Sequence, residues 1–116
     1  MTMLDYKTDD LGYMGMEVPQ QAREALDNYF IRGWEPGGFL TAMLTGDLYR
    51  AISSADTGNR RMIWAIGKWI MDHAPHSSYG SWDNFRAWMQ DRNGRRTAFV
   101  EDVEKRLVWQ QLTEKH

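Results

Sequence analysis

Three stretches of this chain bring together residue types that can hold a phosphate or a base. Arg32-Gly33-Trp34-Glu35-Pro36-Gly37-Gly38-Phe39 sets an arginine and a tryptophan just ahead of a glycine-rich turn that opens an apolar run. A helix that starts on glycine leaves its first N–H groups free, and the helix dipole favours negative charge there. Arg32 would neutralise the anion, the N–H groups of Gly37 and Gly38 would donate to it, and Trp34 and Phe39 would stack a base. The plainer reading of the same residues is a sharp turn between helices, with both aromatics in the core, since glycine serves turns often. The run lacks the Lys-Ser/Thr ending of a Walker loop. Asp56-Thr57-Gly58-Asn59-Arg60-Arg61 repeats the theme, with Asn59 and Arg60 as candidate ligand contacts. Arginines at a helix start can clamp phosphate bidentately; their charge opposes the dipole at that end. Asp56 and Asn59 also read as simple caps. Arg92-Asn93-Gly94-Arg95-Arg96 is the densest basic cluster, suited to an acidic partner or to the end of a helix.

Catalytic chemistry is harder to assemble. His73 and His76 are three residues apart, but Pro75 between them prevents a common helical face, and no third ligand accompanies them. The remaining histidine is His116, so no Ser-His-Asp constellation can be built. No carboxylates read as a buried pair. The chain has no cysteine, which excludes disulfides and thiolate metal sites. The expectation is a non-enzymatic protein with no metal or cofactor.

The elements that must position these groups are helices. At 116 residues the chain is one domain by size. Residues 1–17, with Asp5, Asp9, Asp10 and Glu17 against Lys7, read as an acidic irregular arm; of the net charge of −2, residues 18–116 therefore hold +1. The helical domain is expected over 18–116. Its first helix begins at Pro19, carries Ala22, Leu26, Tyr29 and Phe30 on one face, and stops at Gly33. Short helices follow over 38–45 and 48–55, joined at Gly46-Asp47, where Asp47 caps the second. The inner face of that second one is expected to be Leu48, Ala51, Ile52 and Ala55. A fourth helix over 60–73, capped by Asn59, has Met62, Ile63, Ile66 and Ile70 on its core face. Trp64 and Trp69 lie off that stripe, so this helix is expected at the centre. Ser81 caps a fifth helix bearing Trp82, Phe85, Trp88 and Met89. A sixth runs over 96–114, with Phe99, Val100, Val103 and Leu107 on one face and Val108 and Trp109 elsewhere. Residues 92–116 are thus the candidate contact of a homo-oligomer. No stretch alternates with period two, so the fold class is all-α: a compact bundle of five to six helices with an irregular N-terminal arm.

Six Trp, five Tyr and four Phe are a heavy aromatic load for one small core, so some belong at a surface, in a pocket or a subunit contact. The acidic balance argues against nucleic acid as partner, leaving a DNA-binding regulator built on the Gly46-linked helices as the weakest alternative. No apolar run approaches the ~18 residues of a membrane span. The start, MTMLDYKTDD, lacks the basic and apolar regions of a signal peptide, so a cytoplasmic location is expected.

The run Asn28-Tyr29-Phe30-Ile31-Arg32-Gly33-Trp34-Glu35-Pro36-Gly37-Gly38-Phe39-Leu40-Thr41-Ala42-Met43-Leu44 resembles a family of small tailed-phage and prophage proteins. In that family a tyrosine-containing helix end precedes a Pro-Gly-x-Phe-Leu helix start. The resemblance continues through Leu48, Ala51, Ala55-Asp56 and Asn59, and resumes at Tyr79-Gly80-Ser81 and Trp88. It covers roughly 20–89; relatives often have Trp where Tyr79 stands, and the last helix lies outside it. It implies a phage setting and host-cell cytoplasm, and no particular mechanism. Joined to the residue chemistry, it gives the expectation of a non-enzymatic phage protein that antagonises host antiviral defence. Such a protein would sequester a nucleotide-derived immune signal through Arg32, Trp34, Gly37, Gly38, Phe39, Asn59 and Arg60. The alternative is a protein–protein inhibitor or adaptor that binds a host defence enzyme through its aromatic surface and the Val103 face of the final helix.

Overall fold

The computed structural model describes the backbone of residues 20–114, and their side chains except at 20, 57–61, 73 and 106–114. The acidic arm and Pro19 lie outside the described residues. Among them are six α-helices and no strand, an all-α fold. In chain order these are α1 (Gln20–Asp27), α2 (Gly38–Thr45), α3 (Leu48–Ser54), α4 (Thr57–His73), α5 (Trp82–Met89) and α6 (Arg95–Glu114). Short 3-10 turns at His76–Ser78 and Arg92–Gly94 lead into α5 and α6. No helix among the described residues is long and apolar enough to cross a membrane.

Helix α1 does not end as an ordinary α-helix. Its last turn, Asn28–Arg32, widens into a π-helix that closes on Gly33 at φ +72°. The widened turn lets two successive aromatics, Tyr29 and Phe30, both reach the interior, where each is fully buried. Single π turns of this kind occur often at functional sites.

The turn between α2 and α3 follows the sequence closely. Gly46 is left-handed at φ +83°, and its N–H donates to Met43 O while that of Asp47 donates to Ala42 O, which is a Schellman closure. The Asp47 carboxylate then accepts from the Arg50 N–H at 3.0 Å and caps α3. This two-residue connection lays α3 against α2. The approach is close enough that α3 buries its small residues, Ala51 and Ala55, while Leu48 and Ile52 face outward at 56% and 45% exposure. The expected inner face of α3 is therefore corrected to the alanines.

The centre of the bundle is α2, not α4. Phe39, Leu40, Thr41, Ala42, Leu44 and Thr45 are all buried. Helix α4 is one-sided: Ala65, Ile66, Trp69 and Ile70 are buried, Met62 and Ile63 pack at the edge of the core, and Trp64 and Met71 are exposed. Trp69 thus belongs to the core face, against expectation. Helix α4 also begins at Thr57, so Asn59 lies inside its first turn and is not its N-cap. Ser81 caps α5 as expected, its oxygen accepting from the Asn84 N–H at 3.1 Å. In α6, Val103 is buried and Phe99 packs on the core, so the Val103 face is interior and not a free interface. Leu107, Val108 and Trp109 lie outside the described side chains.

An aromatic cluster joins α1, α4, α5 and α6. Tyr29 stacks on Phe85 with ring centroids 5.2 Å apart, and Phe30 meets Trp69 at 6.0 Å and Trp88 at 6.2 Å. Its polar atoms are satisfied: the Tyr29 hydroxyl donates to Ser78 O at 2.7 Å, and Trp88 Nε1 donates to Tyr29 O at 3.1 Å. Burial pushes the Tyr29 phenol well above the usual tyrosine range, because the phenolate would lose its water.

Candidate functional site

The π turn and Gly33 deliver a corner formed by Arg32 and Trp34, a few residues ahead of α2. Gly33 and Trp34 donate their N–H groups back to Tyr29 O and Asn28 O at 3.0 and 3.2 Å, which fixes the exit of the chain. Arg32 Nη1 donates to Asn28 Oδ1 at 2.6 Å. The Arg32 guanidinium lies 5.4 Å from the Trp34 ring centroid, within cation–π range. Trp34 is 58% exposed. An indole presented to water with an arginine on it offers a flat apolar face beside a cation.

The loop then turns into α2 through Gly37 at φ +92°, ψ +168°, a conformation that is essentially open to glycine alone. No side chain caps α2, so its first N–H groups are not spoken for by a cap. Gly38 has open space where a Cβ would stand, so nothing steric requires glycine there. Beside this start is a hollow of about 200 Å³, lined by Ala22 and Ala25 of α1 and by Gly37, Gly38, Phe39 and Leu40, among others.

The structure thus pairs Arg32 with Trp34 and sets Gly37 and Gly38 at the hollow beside the start of α2. Phe39 borders the hollow, but its residue is only 8% exposed and belongs to the core, so it offers no open stacking face. The reason is its place at the second position of α2, pointing inward beside Leu40. Asn59 and Arg60 stand in the first turn of α4, and their side chains lie outside the described residues.

The basic cluster at 92–96 has structural duties. Arg92 pairs with Asp83 at 3.3 Å. Arg95 donates to Arg92 O and Ser77 O at 3.2 and 3.1 Å. Arg96 donates to three backbone carbonyls, those of Trp88, Met89 and Ile31. Asp91 accepts the N–H groups of Arg96 and Thr97 at 2.9 and 3.0 Å, and the Thr97 hydroxyl as well. The Thr97 hydroxyl and N–H bonds hold the Asp91 carboxyl below the usual carboxylate range. Of the two readings of this cluster, the contacts match the helix end: it forms the junction between α5 and α6.

Sequence reasoning did not single out a second Arg–Trp pair. Arg86 lies 5.6 Å from the ring centroid of Trp82, which is 43% exposed. The i, i+4 spacing on a helix was the available signal. It also missed an apolar trio on α3: Leu48, Tyr49 and Ile52 are all exposed, Tyr49 at 86%. The outward face of that helix carries Arg50 as its one basic residue, paired with Asp47 at 3.9 Å, a poor surface for a duplex. Comparison with protein-family models, with curated proteins and with solved structures finds no significant match to this chain.

Proposed function

We propose that this is a non-enzymatic phage protein that antagonises host antiviral defence by binding, with the Arg32–Trp34 corner as its contact for a nucleotide-derived immune signal. The observation that carries the reading is the exposed Trp34 ring with Arg32 upon it, a few residues ahead of the uncapped start of α2. A base would stack on the indole, Arg32 would neutralise a phosphate, and the first N–H groups of α2 would donate to it. Covering the exposed part of Trp34 releases roughly 3 kcal/mol of apolar hydration. The phage setting rests on the sequence resemblance.

Size limits the form of the complex. A hollow of about 200 Å³ falls below the roughly 300–1,000 Å³ of pockets that enclose whole ligands. One chain can seat a phosphate or ribose there and hold a base outside, on Trp34. Sequestration of a whole cyclic dinucleotide then calls for a second copy to close over it, in keeping with the homo-oligomer expected from sequence.

Thermal stability against a panel of cyclic di- and trinucleotides, cyclic ADP-ribose isomers and plain nucleotides tests the proposal. A ligand at a hundredfold excess over its dissociation constant adds about 2.7 kcal/mol, several degrees for a domain of this size. The shift should vanish in Trp34→Ala and Arg32→Ala, and the ligand should be recovered chemically intact after denaturation. No shift across the panel sinks the nucleotide reading.

A specific observation favours a second reading, an inhibitor or adaptor that binds a host defence enzyme. Leu48, Tyr49 and Ile52 form an exposed apolar face, of the composition that protein interfaces favour. In that case a host protein co-purifies with the native chain, is lost with Ile52→Glu and is retained with Trp34→Ala. No co-purifying protein, or loss with neither variant, removes it.

A further inference from the structure

The corner that carries Trp34 is held from below by a residue of a different helix. Arg96 is the second residue of α6, and its side chain runs into the gap between the π turn and the end of α5. Its Nε donates to Trp88 O at 3.1 Å; Nη1 and Nη2 donate to Ile31 O and Met89 O at 3.4 Å each. Trp88 and Met89 close α5, and Ile31 lies in the last turn of the π segment. All three carbonyls belong to helix ends, where carbonyls lack intrahelical partners and the dipole favours a cation. A planar guanidinium can serve three acceptors in one plane; an ammonium is a point donor and cannot span them.

The contact extends to the hinge of the corner itself. A Cβ on Gly33 would stand 2.7 Å from Arg96 Nε and 2.9 Å from its Cζ. The backbone of Gly33, the residue between Arg32 and Trp34, therefore lies directly on the guanidinium. Its left-handed φ and its lack of a side chain are both matched to that seat.

We propose that Arg96 is a positioning residue for Trp34: it fixes the π turn and Gly33 against the end of α5, and so sets where the indole is presented. Its value for ligand recognition rests on the reading that the Arg32–Trp34 corner binds. The side chain is not needed to start α6, because Asp91 caps that helix through the backbone N–H groups of Arg96 and Thr97. Substitution at 96 thus separates the corner from the helix.

The test is fluorine NMR of the full chain labelled with 5-fluorotryptophan, which gives one line for each of the six tryptophans. Trp34→Phe assigns the Trp34 line by its disappearance. In Arg96→Met the Trp34 line should shift or broaden while that of Trp69, in the core, holds its position. Arg96→Lys should return the Trp34 line part of the way. A Trp34 line unmoved in a folded Arg96→Met protein overturns the proposal, as does a set of variants in which the Trp34 and Trp69 lines move together. If Arg96→Met loses the dispersion of all its lines, Arg96→Gln and Arg96→Lys decide by the same criterion. The measurement needs no ligand, so its failure is distinct from failure of the binding reading, which the nucleotide panel decides.

Discussion

Replacing Tyr29 by Phe removes one oxygen from the most enclosed part of the core and leaves the ring stack on Phe85 intact. The hydroxyl donates to Ser78 O at 2.7 Å, and both residues are fully buried. The variant loses one hydrogen bond and leaves a carbonyl short of its partner, which together cost about 1–2 kcal/mol. For a domain near 100 residues, 1 kcal/mol moves Tm by about 4–8 °C, so a fall of about 4–16 °C is expected by calorimetry. The pH dependence supplies a second reading of the same group. Burial raises the folded-state pKa of Tyr29 above the ordinary tyrosine value of 10.0, so the folded protein keeps the proton that the unfolded chain releases. This contribution to stability is fully present below about pH 10 and is lost as pH rises beyond it. The wild-type protein should therefore show a steeper alkaline loss of stability than Tyr29→Phe, which has no phenol to ionise at that site. A Tm within 1 °C of wild type, or alkaline limbs of equal slope, would refute the assignment of Tyr29 as a buried, bonded phenol.

Two further substitutions probe the supports of the site. The Thr41 hydroxyl, buried in α2, has no hydrogen-bond partner, and Thr41→Val removes the unsatisfied oxygen at nearly constant shape. Stabilisation by about 1 kcal/mol is expected in urea unfolding, and a loss of that size would mean the hydroxyl carries a bond after all. Asp91→Ala withdraws the acceptor of two backbone N–H groups and the Thr97 hydroxyl at the start of α6, and should lower Tm. Because the Asp91 carboxyl is held below its ordinary value of 3.8, its contribution is present above that pH and lost as pH falls. The difference in Tm between wild type and Asp91→Ala should accordingly shrink on acidification, and a constant difference down to pH 2 would contradict it.

Helix ends were legible because the residues that make them act locally. Gly33 and Gly46 adopt the left-handed conformation that glycine accommodates best, and Asp47 and Ser81 cap through their own side chains. The faces of short helices were less legible. Leu48 and Ile52 are the larger apolar residues of α3, yet with the tight Gly46-Asp47 connection to α2 it is Ala51, and Ala55 just beyond the helix, that are buried. Chain geometry outweighed hydropathy there. The start of α4 was misplaced because Asp56, Thr57 and Asn59 can all act as caps, and periodicity cannot choose among polar neighbours. The π turn was invisible for a related reason: a single widened turn changes the register of only a few residues, while the surrounding pattern stays that of an α-helix.

The candidate site shows where reading from residue type reaches its limit. Phe39 and Trp34 stand five positions apart, both beside the glycine turn, and either could stack a base. Phe39 is fixed to the inward face of α2, whereas Trp34 hangs from a loop that leaves Gly33 toward solvent. The energetics make its outward position informative. Burying the rest of the ring would stabilise the fold by roughly 3 kcal/mol, whereas an exposed cation–π contact with Arg32 returns about 0.5–1 kcal/mol. Stability alone would turn this tryptophan inward, as it has turned Trp69 and Trp88. The same imbalance holds at Trp82 with Arg86 and at Tyr49, the most exposed large apolar residue of those described. Their exposure leaves roughly 3 kcal/mol per ring to be gained on contact with another molecule, which is the physical basis for reading this protein as a binder.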